Sequence, residues 1–272
     1  MNNGPIGVFD SGLGGLTAMD VLTKLLPGED IIYFGDSGRM PYGGRPRAEL
    51  MQMGVQDIDF LCGTGAKLIL AACGTLSTVA LPTLAPISEV PVFGVIGPAS
   101  RVAVEHSKSR KIGVIATQAT ITGGEYMRVM REMLPSAEIT AIACPKFVPL
   151  IEAGKTSIED AGVREAVEEY LTPVAEAKVD TLLLGCTHYP LLGEAISSFL
   201  GDGVKLISAG EEAAIELVYN LEGMNLKSGK KAGGMRKYYT SGDPNEFAEI
   251  AARLMPDVKI KDVEGIRPFD IL

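Results

Sequence analysis

Short apolar runs alternate along the chain with longer segments in which apolar positions recur every three or four residues. The short runs are aliphatic and β-branched, and they predict buried strands at 6–9, 31–34, 68–72, 92–96, 112–115, 139–142, 181–184, 204–207 and 236–239. The longer segments predict helices, among them 16–26, 48–61, 158–175 and 211–221. This alternation is typical of an α/β fold with mostly parallel sheets and right-handed crossovers.

Two of the predicted strands end in the same way, which indicates two similar α/β domains. Residues 68–75 have the sequence LILAACGT and residues 182–187 have LLLGCT, so a cysteine and then a threonine follow each strand. We expect one domain to be formed by 1–97 with 209–272 and to carry Cys73. A second domain, 98–208, carries Cys186. The active site is then expected in the cleft between the two domains. The alternative is that two buried strands end in cysteine by chance, since this small residue suits interiors.

Composition and charge exclude several classes of protein. The 272 residues are 46% hydrophobic and carry a net charge of −9, which argues against a nucleic-acid partner. The sequence has no apolar run of about 18 residues for a membrane span. Residues 1–5 lack the pattern of a secretory signal. The four cysteines lie far apart and form no CxxC motif, which favours free thiols over disulfides or a zinc site. Free thiols are typical of the cytoplasm. We expect Cys62 and Cys144 to be small apolar residues of the core.

The loops after the predicted strands hold the candidate chemistry, because open α/β sheets bind ligands at the carboxyl ends of their strands. The glycine-rich sequence DSGLGGLT at 10–17 partly matches a dinucleotide-binding fingerprint, and Asp36 stands where a ribose-binding acid would lie. Thr17 replaces the third glycine, however, and Asp10 would repel a pyrophosphate. We therefore favour a turn whose backbone N–H groups face a carboxylate ligand.

Three further loops carry polar groups. The sequence PYG at 41–43 combines a stiff turn, an aromatic hydroxyl and an open amide, although a solvated surface turn explains the same residues. Residues 73–75, CGT, follow the third strand. The sequence GCTHYP at 185–190 has His188 two residues after Cys186, a spacing that indicates a thiolate–imidazole pair.

Together these motifs resemble glutamate racemases, members of the cofactor-independent aspartate/glutamate racemase family. The matching segments keep the family's order and spacing: Asp10–Leu16, Pro41–Gly43, Cys73–Thr75, Cys144–Glu152 and Gly185–Pro190. The resemblance implies an enzyme that interconverts L- and D-glutamate without pyridoxal phosphate or metal and supplies D-glutamate for peptidoglycan. Because family members often dimerise, it also allows a homodimer.

Racemisation explains why two cysteines are needed. A proton must leave Cα on one face and another must arrive on the opposite face, so acid/base groups are needed on both sides. The resemblance implies that Cys73 deprotonates D-glutamate and Cys186 deprotonates L-glutamate, with Asp10, Glu152 and His188 relaying protons or setting protonation states. It also implies a set of residues that bind the amino acid: Asp10, Ser11, Tyr42, Gly43, Gly74, Thr75, Thr187 and His188.

One position departs from the family pattern. The family usually has asparagine between the first cysteine and the threonine, and this chain has Gly74. The missing amide predicts weaker binding, so we expect Gly74→Asn to lower the KM for glutamate. Two alternatives stay open: a racemase of another amino acid such as aspartate, and a catalytically silent amino-acid-binding protein.

Overall fold

A computed structural model describes residues 4–256, 258, 260 and 262–267 and contains two parallel sheets. The strands in chain order are β1 Ile6–Asp10, β2 Ile31–Gly35, β3 Leu68–Ala71, β4 Val92–Gly94, β5 Lys111–Ala116, β6 Glu138–Ala143, β7 Thr181–Leu184, β8 Lys205–Ser208, β9 Arg236–Thr240 and β10 Val263–Gly265. The first sheet has the order β10-β9-β2-β1-β3-β4 and the second has β6-β5-β7-β8. All the pairings described are parallel.

Helices connect successive strands, as parallel pairing requires. The α-helices are α1 Leu16–Leu25, α2 Arg47–Gly63, α3 Gly74–Val79, α4 Leu81–Leu84, α5 Ile96–His106, α6 Gln118–Gly123, α7 Glu125–Met133, α8 Phe147–Glu152, α9 Ala161–Glu176, α10 Gly193–Leu200, α11 Ala209–Gly223 and α12 Pro244–Leu254. Short 3₁₀ turns lie at Ser37–Arg39, Ala85–Ile87 and Tyr189–Leu192. Within the described part of the chain, none of these helices is long and apolar enough to cross a membrane.

One apolar core joins the two sheets. Helices α1 and α5 both pack against α11, and α5 also packs against α7. The same buried cluster contains Val8 and Leu70 of the first sheet and Val114 and Leu183 of the second. Further apolar clusters cover the other faces of the two sheets. The sheets are therefore held together by hydrophobic packing as well as by the chain itself.

The predicted fold class, α/β with mostly parallel sheets, is confirmed. All nine predicted strands form, and β10 is an additional strand that the sequence did not indicate. The strand predicted at 92–96 ends at Gly94, because Ile96 already begins α5. The chain enters the second sheet through α5 and leaves it through α11. The domain limits at 97/98 and 208/209 stay a prediction, and residues 268–272 of the predicted first domain lie outside the described residues.

Candidate active site

A cavity of about 370 Å³ lies where the strands of both sheets end. Asp10 ends β1, Cys73 follows β3 and Cys186 follows β7, so strands that are central in each sheet supply its principal groups. Its volume suits a small ligand. Every residue predicted for the site lines this cavity: Asp10, Ser11, Tyr42, Gly43, Cys73, Gly74, Thr75, Glu152, Cys186, Thr187 and His188. Their individual roles stay predictions.

The glycine-rich turn after β1 binds the protein's own carboxylate. Gly12 N and Gly15 N donate to Asp10 Oδ2 over 3.3 and 3.1 Å, and the Thr187 hydroxyl donates to Asp10 Oδ1 over 3.4 Å. Two of the turn's amides therefore bind Asp10 itself, and the expected contact of the turn with a carboxylate ligand stays a prediction. The same two amides are not free to bind a pyrophosphate, which argues against the dinucleotide interpretation.

Cys73 lies in an environment that favours the neutral thiol. It is buried, it forms the N-cap of α3, and its Sγ lies 3.7 Å from the hydroxyl oxygen of Ser11. Burial, the negative charge of Asp10 and a smaller contribution from Cys186 raise the pKa of Cys73 to about 12. At neutral pH this residue is therefore a neutral thiol, which must first lose its proton before it can act as a base.

Cys186 lies beside a cation. Its Sγ is 3.9 Å from Nδ1 of His188, and Nε2 of His188 is 3.0 Å from Oε1 of Glu152. Burial lowers the pKa of His188, but the hydrogen bonds to Cys186 and Glu152 outweigh it and raise the pKa to about 10. The imidazole is thus protonated at neutral pH, and its positive charge lies beside the sulfur of Cys186.

Tyr42 lines the cavity, but its hydroxyl is engaged elsewhere. The hydroxyl oxygen contacts Oδ2 of Asp36 and lies 3.2 Å from Oδ2 of Asp57. Asp36, the residue considered for ribose binding, accepts from Arg39 Nε over 2.6 Å and from Ser241 Oγ over 2.5 Å. This hydroxyl therefore belongs to a buried polar cluster, and the predicted role of Tyr42 in binding the amino acid stays a prediction.

Gly74 follows a strand of the first sheet and lies against Gly185, which follows a strand of the second sheet. We call the two parts of the chain that contain these sheets the first and the second lobe. This close approach contradicts the expectation that asparagine at residue 74 lowers the KM for glutamate. A Cβ atom at residue 74 would overlap the backbone carbonyl oxygen of Gly185. That oxygen is part of the segment that carries Cys186, so it cannot move aside like the end of a flexible side chain. We infer that glycine is adapted to this close approach, and that Gly74→Asn lowers kcat/KM for glutamate.

Sequence reasoning missed the contribution of the loop after β5. Thr117 and Gln118 line the cavity, and the Thr117 hydroxyl lies 3.0 Å from that of Thr75. The amide of Ala119 donates to the carbonyl oxygen of Gly43 over 3.1 Å. The signal was available: β5 ends at the same edge of its sheet as β7, and the polar residues 117–118 follow it directly.

All four cysteines are free thiols. Cys144 was expected to be an apolar filler; it is buried, and it also lines the cavity. Burial raises the pKa of Cys144, as it does that of the half-buried Cys62, which lies outside the cavity. In the ranges that the structure describes, no group of three or more His, Cys, Asp or Glu side chains could hold a metal ion.

Comparison with known proteins defines the class of enzyme. Residues 34–217 match the model of the Asp/Glu/Hydantoin racemase family. The chain belongs to this family, and the predicted class, an amino-acid racemase, is confirmed.

Several of the proteins that this chain is similar to are glutamate racemases. The chain is 41% identical to the glutamate racemase of Corynebacterium diphtheriae, over 94% of this chain and 95% of that protein. Glutamate racemase isoform RacE1 from Bacillus anthracis superposes with a TM-score of 0.91 at 35% identity, covering 98% of both chains. The structure of the Francisella tularensis glutamate racemase in complex with D-glutamate gives 0.91 at 34% identity, covering 99% of this chain and 100% of that one.

Proposed function

We propose that this protein is a glutamate racemase in which Cys73 and Cys186 exchange the Cα proton without a cofactor. The observation that carries the proposal is the presence of both thiols in one cavity with opposite surroundings. Cys73 is held neutral by burial and by Asp10, and Cys186 lies beside the protonated His188. One acid and one base on different lobes is the arrangement that inversion at a carbon requires.

In the L-to-D direction, the Cys186 thiolate takes the proton from Cα, and the Cys73 thiol donates a proton to the opposite face. The electron pair of the broken C–H bond forms the new C–H bond with the Cys73 proton, which leaves Cys73 as thiolate and Cys186 as thiol. The D-to-L direction uses the same two steps in reverse. A buried cavity lowers the cost of the carbanion by surrounding it with preorganised groups instead of water.

The charges near each thiol support the exchange of roles. Glu152 holds the proton on His188 through the 3.0 Å contact, so the positive charge stays beside Cys186 when this thiol is ionised. Asp10 receives two backbone N–H bonds, which fix its carboxylate near Cys73. We infer that Asp10 and the Glu152–His188 pair reset the protonation states of the two thiols between turnovers.

The biological setting follows from the same resemblance. D-glutamate produced in this way would supply peptidoglycan synthesis in the cytoplasm, and four free thiols are consistent with a reducing compartment. The two-domain division at 1–97 with 209–272 and at 98–208 is proposed on the same basis, and is supported by two sheets that each carry one cysteine. A homodimer stays a prediction.

Serine substitution of each cysteine tests the mechanism. Because each direction uses both residues, Cys73→Ser and Cys186→Ser should each lower kcat/KM for L- and for D-glutamate by about 10²–10⁴-fold, the usual contribution of a general acid or base. Polarimetry or a coupled assay measures both directions, and Cys62→Ser is the matched control. Turnover like the wild type in either cavity variant would refute the two-thiol mechanism.

Deuterium incorporation separates the alternatives. In D₂O the wild type should place deuterium at Cα of glutamate and much less at Cα of aspartate. Faster exchange into aspartate would identify a racemase of that amino acid, and binding without exchange would identify a silent binding protein.

A further inference from the structure

A cluster of buried polar side chains lies next to the loop that lines the cavity. Asp36 follows β2, Arg39 lies in the 3₁₀ turn after it, and Asp57 lies on α2. Both aspartates are fully buried, and Arg39 is the guanidinium that contacts them. Tyr42 lies between the two carboxyl groups. Among the residues that the structure describes, the cluster therefore contains two acids and a single arginine.

The hydrogen bonds of Asp36 are those of an ionised carboxylate. Its Oδ2 accepts from Arg39 Nε over 2.6 Å and from the Tyr42 hydroxyl, and its Oδ1 accepts from Ser241 Oγ over 2.5 Å. Three donors converge on the two oxygens, and this number is typical of a negative charge.

Asp57 has a different set of neighbours. Its Oδ1 accepts from Arg39 Nη2 over 2.9 Å, and its Oδ2 lies 3.2 Å from the Tyr42 hydroxyl oxygen. A phenol has one hydrogen, and that hydrogen serves Asp36. The contact between Asp57 and Tyr42 then lacks a hydrogen unless Asp57 supplies it.

We propose that Asp57 is a protonated carboxylic acid that donates to the Tyr42 hydroxyl, which in turn donates to Asp36, and that this chain positions the amino-acid-binding loop. The neutral Asp57 also leaves the charges of Arg39 and Asp36 balanced. Asp57 acts through Tyr42 and is a positioning residue, since it does not line the cavity. The role in substrate binding rests on the proposed racemase function.

The position of this loop matters to both lobes. Tyr42 and Gly43 line the cavity, and the carbonyl oxygen of Gly43 accepts from Ala119 N of the second lobe over 3.1 Å. A loop that shifts would therefore disturb the cavity wall and a contact that closes the cleft.

The electrostatics of the cluster agree with this assignment. Burial and the negative charge of Asp36 raise the pKa of Asp57 well above its usual value, with Arg39 and the contact with Tyr42 opposing the effect and Asp10 adding to it. Burial raises the pKa of Asp36 less, because Ser241, Tyr42 and Arg39 donate to its carboxylate.

Two substitutions at residue 57 separate a protonated from an ionised acid. In Asp57→Asn the amide donates to Tyr42 and its carbonyl oxygen accepts from Arg39, so KM and kcat for glutamate should stay within about threefold of the wild type. Asp57→Leu keeps the branched skeleton of the side chain without either bond, so KM should rise about tenfold or more while kcat changes less. Equal damage from both substitutions would overturn the proposal.

Asp36→Asn is the matched comparison, because it removes the charge from the residue that is assigned as ionised. Asp36→Asn should raise the KM for glutamate more than Asp57→Asn does. The reverse order would contradict the assignment of Asp36 as ionised and Asp57 as protonated. Circular dichroism and thermal melting establish that each variant is folded before its kinetics are compared.

Infrared spectroscopy tests the protonation of Asp57 independently of catalytic activity. The infrared difference spectrum of wild type minus Asp57→Asn at neutral pH should contain the carbonyl stretch of a protonated carboxyl group. Its absence would show that Asp57 is ionised. If the wild type proves unable to racemise glutamate, the proposed function fails, and this spectrum still decides the protonation of Asp57.

Discussion

His188 is a buried cation. Its ring is almost fully enclosed, with the Cys186 sulfur at 3.9 Å from one nitrogen and the Glu152 carboxylate at 3.0 Å from the other. An isolated cation in such a position would lose its proton. These two partners therefore decide its state, and the side chain holds positive charge at the cavity wall over the whole neutral range of pH.

This charge makes stability depend on pH. The pKa of His188 is raised from 6.5 to about 10 in the folded protein, so its contribution to the free energy of unfolding is fully present below pH 6.5 and is lost as the pH rises to about 10. The difference in unfolding free energy between wild type and His188→Gln should shrink over this interval. Urea denaturation at several pH values measures it, and parallel pH curves for the two proteins would contradict the assigned charge.

The sequence predicted residues that line the cavity, but it did not predict all of the contacts that these residues make. Cys73, Cys186 and Asp10 were found because the carboxyl ends of parallel strands converge. The partner of Tyr42 was not found, because Asp57 lies fifteen positions further on in the middle of a helix, where an acid is normally solvated. The constraint on Gly74 was also hidden, since it comes from the backbone of a segment more than a hundred residues away.

At the level of secondary structure, the nine predicted strands include the edge strands β4, β6 and β8, and among the described strands only β10 was not predicted. Strand β3 is apolar throughout and β7 is apolar after Thr181, because both strands are buried. The edge strand β10, Val263–Gly265, is short and partly exposed, so it carries no such pattern. Val95 and Ile96 are buried at the beginning of α5, and their apolar character extended the predicted strand too far.

Helix α9 begins three residues later than the sequence pattern suggested, and its N-cap explains why. The Asp160 carboxylate accepts from Gly162 N and Val163 N over 2.9 and 3.3 Å, which satisfies two amides of the first turn. The apolar Ile158 lies just before this cap and so falls outside the helix.

Removing this cap should weaken the whole protein measurably. Asp160→Ala should lower the free energy of unfolding by about 1 kcal/mol, because two backbone donors lose their acceptor. Chemical denaturation measures the change. Asp160→Asn is the control: it keeps a capping oxygen but loses the charge that faces Lys155 at 3.4 Å, and it should retain most of the stability. A loss as large in asparagine as in alanine would assign the effect to that ion pair.

At the scale of the whole molecule, the two lobes meet through backbone as well as side chains. Glycines stand at the closest points: a Cβ atom at Gly74 would overlap the Gly185 carbonyl, and one at Gly14 would overlap Thr187 and His188. Both points adjoin the cavity. The separation of the two cysteine-bearing segments is therefore set by direct contact.

Gly74→Ala tests this spacing with the smallest side chain. The added methyl group cannot fit beside Gly185, so the cleft should stay wider and kcat should fall at least tenfold, since misplacing a catalytic group by about 1 Å costs up to ~10²-fold. Alkylation of Cys73 and Cys186 should become faster in the wider cleft. Gly193→Ala, which adds a methyl group in open space, is the control. Unchanged kinetics and alkylation in Gly74→Ala would show that the lobes are not in contact during turnover.

The strand order of the first sheet also bears on how the chain is made. Strands β5 to β8 are consecutive, so the second sheet is complete once Ser208 has been synthesised. The first sheet is completed later, because β2 pairs on one side with β9, which comes after residue 235. Until then the ribosome carries a chain whose apolar segment IIYFG has a free edge, open to pairing with another chain. Chaperone protection should therefore matter most while β9 is still unmade.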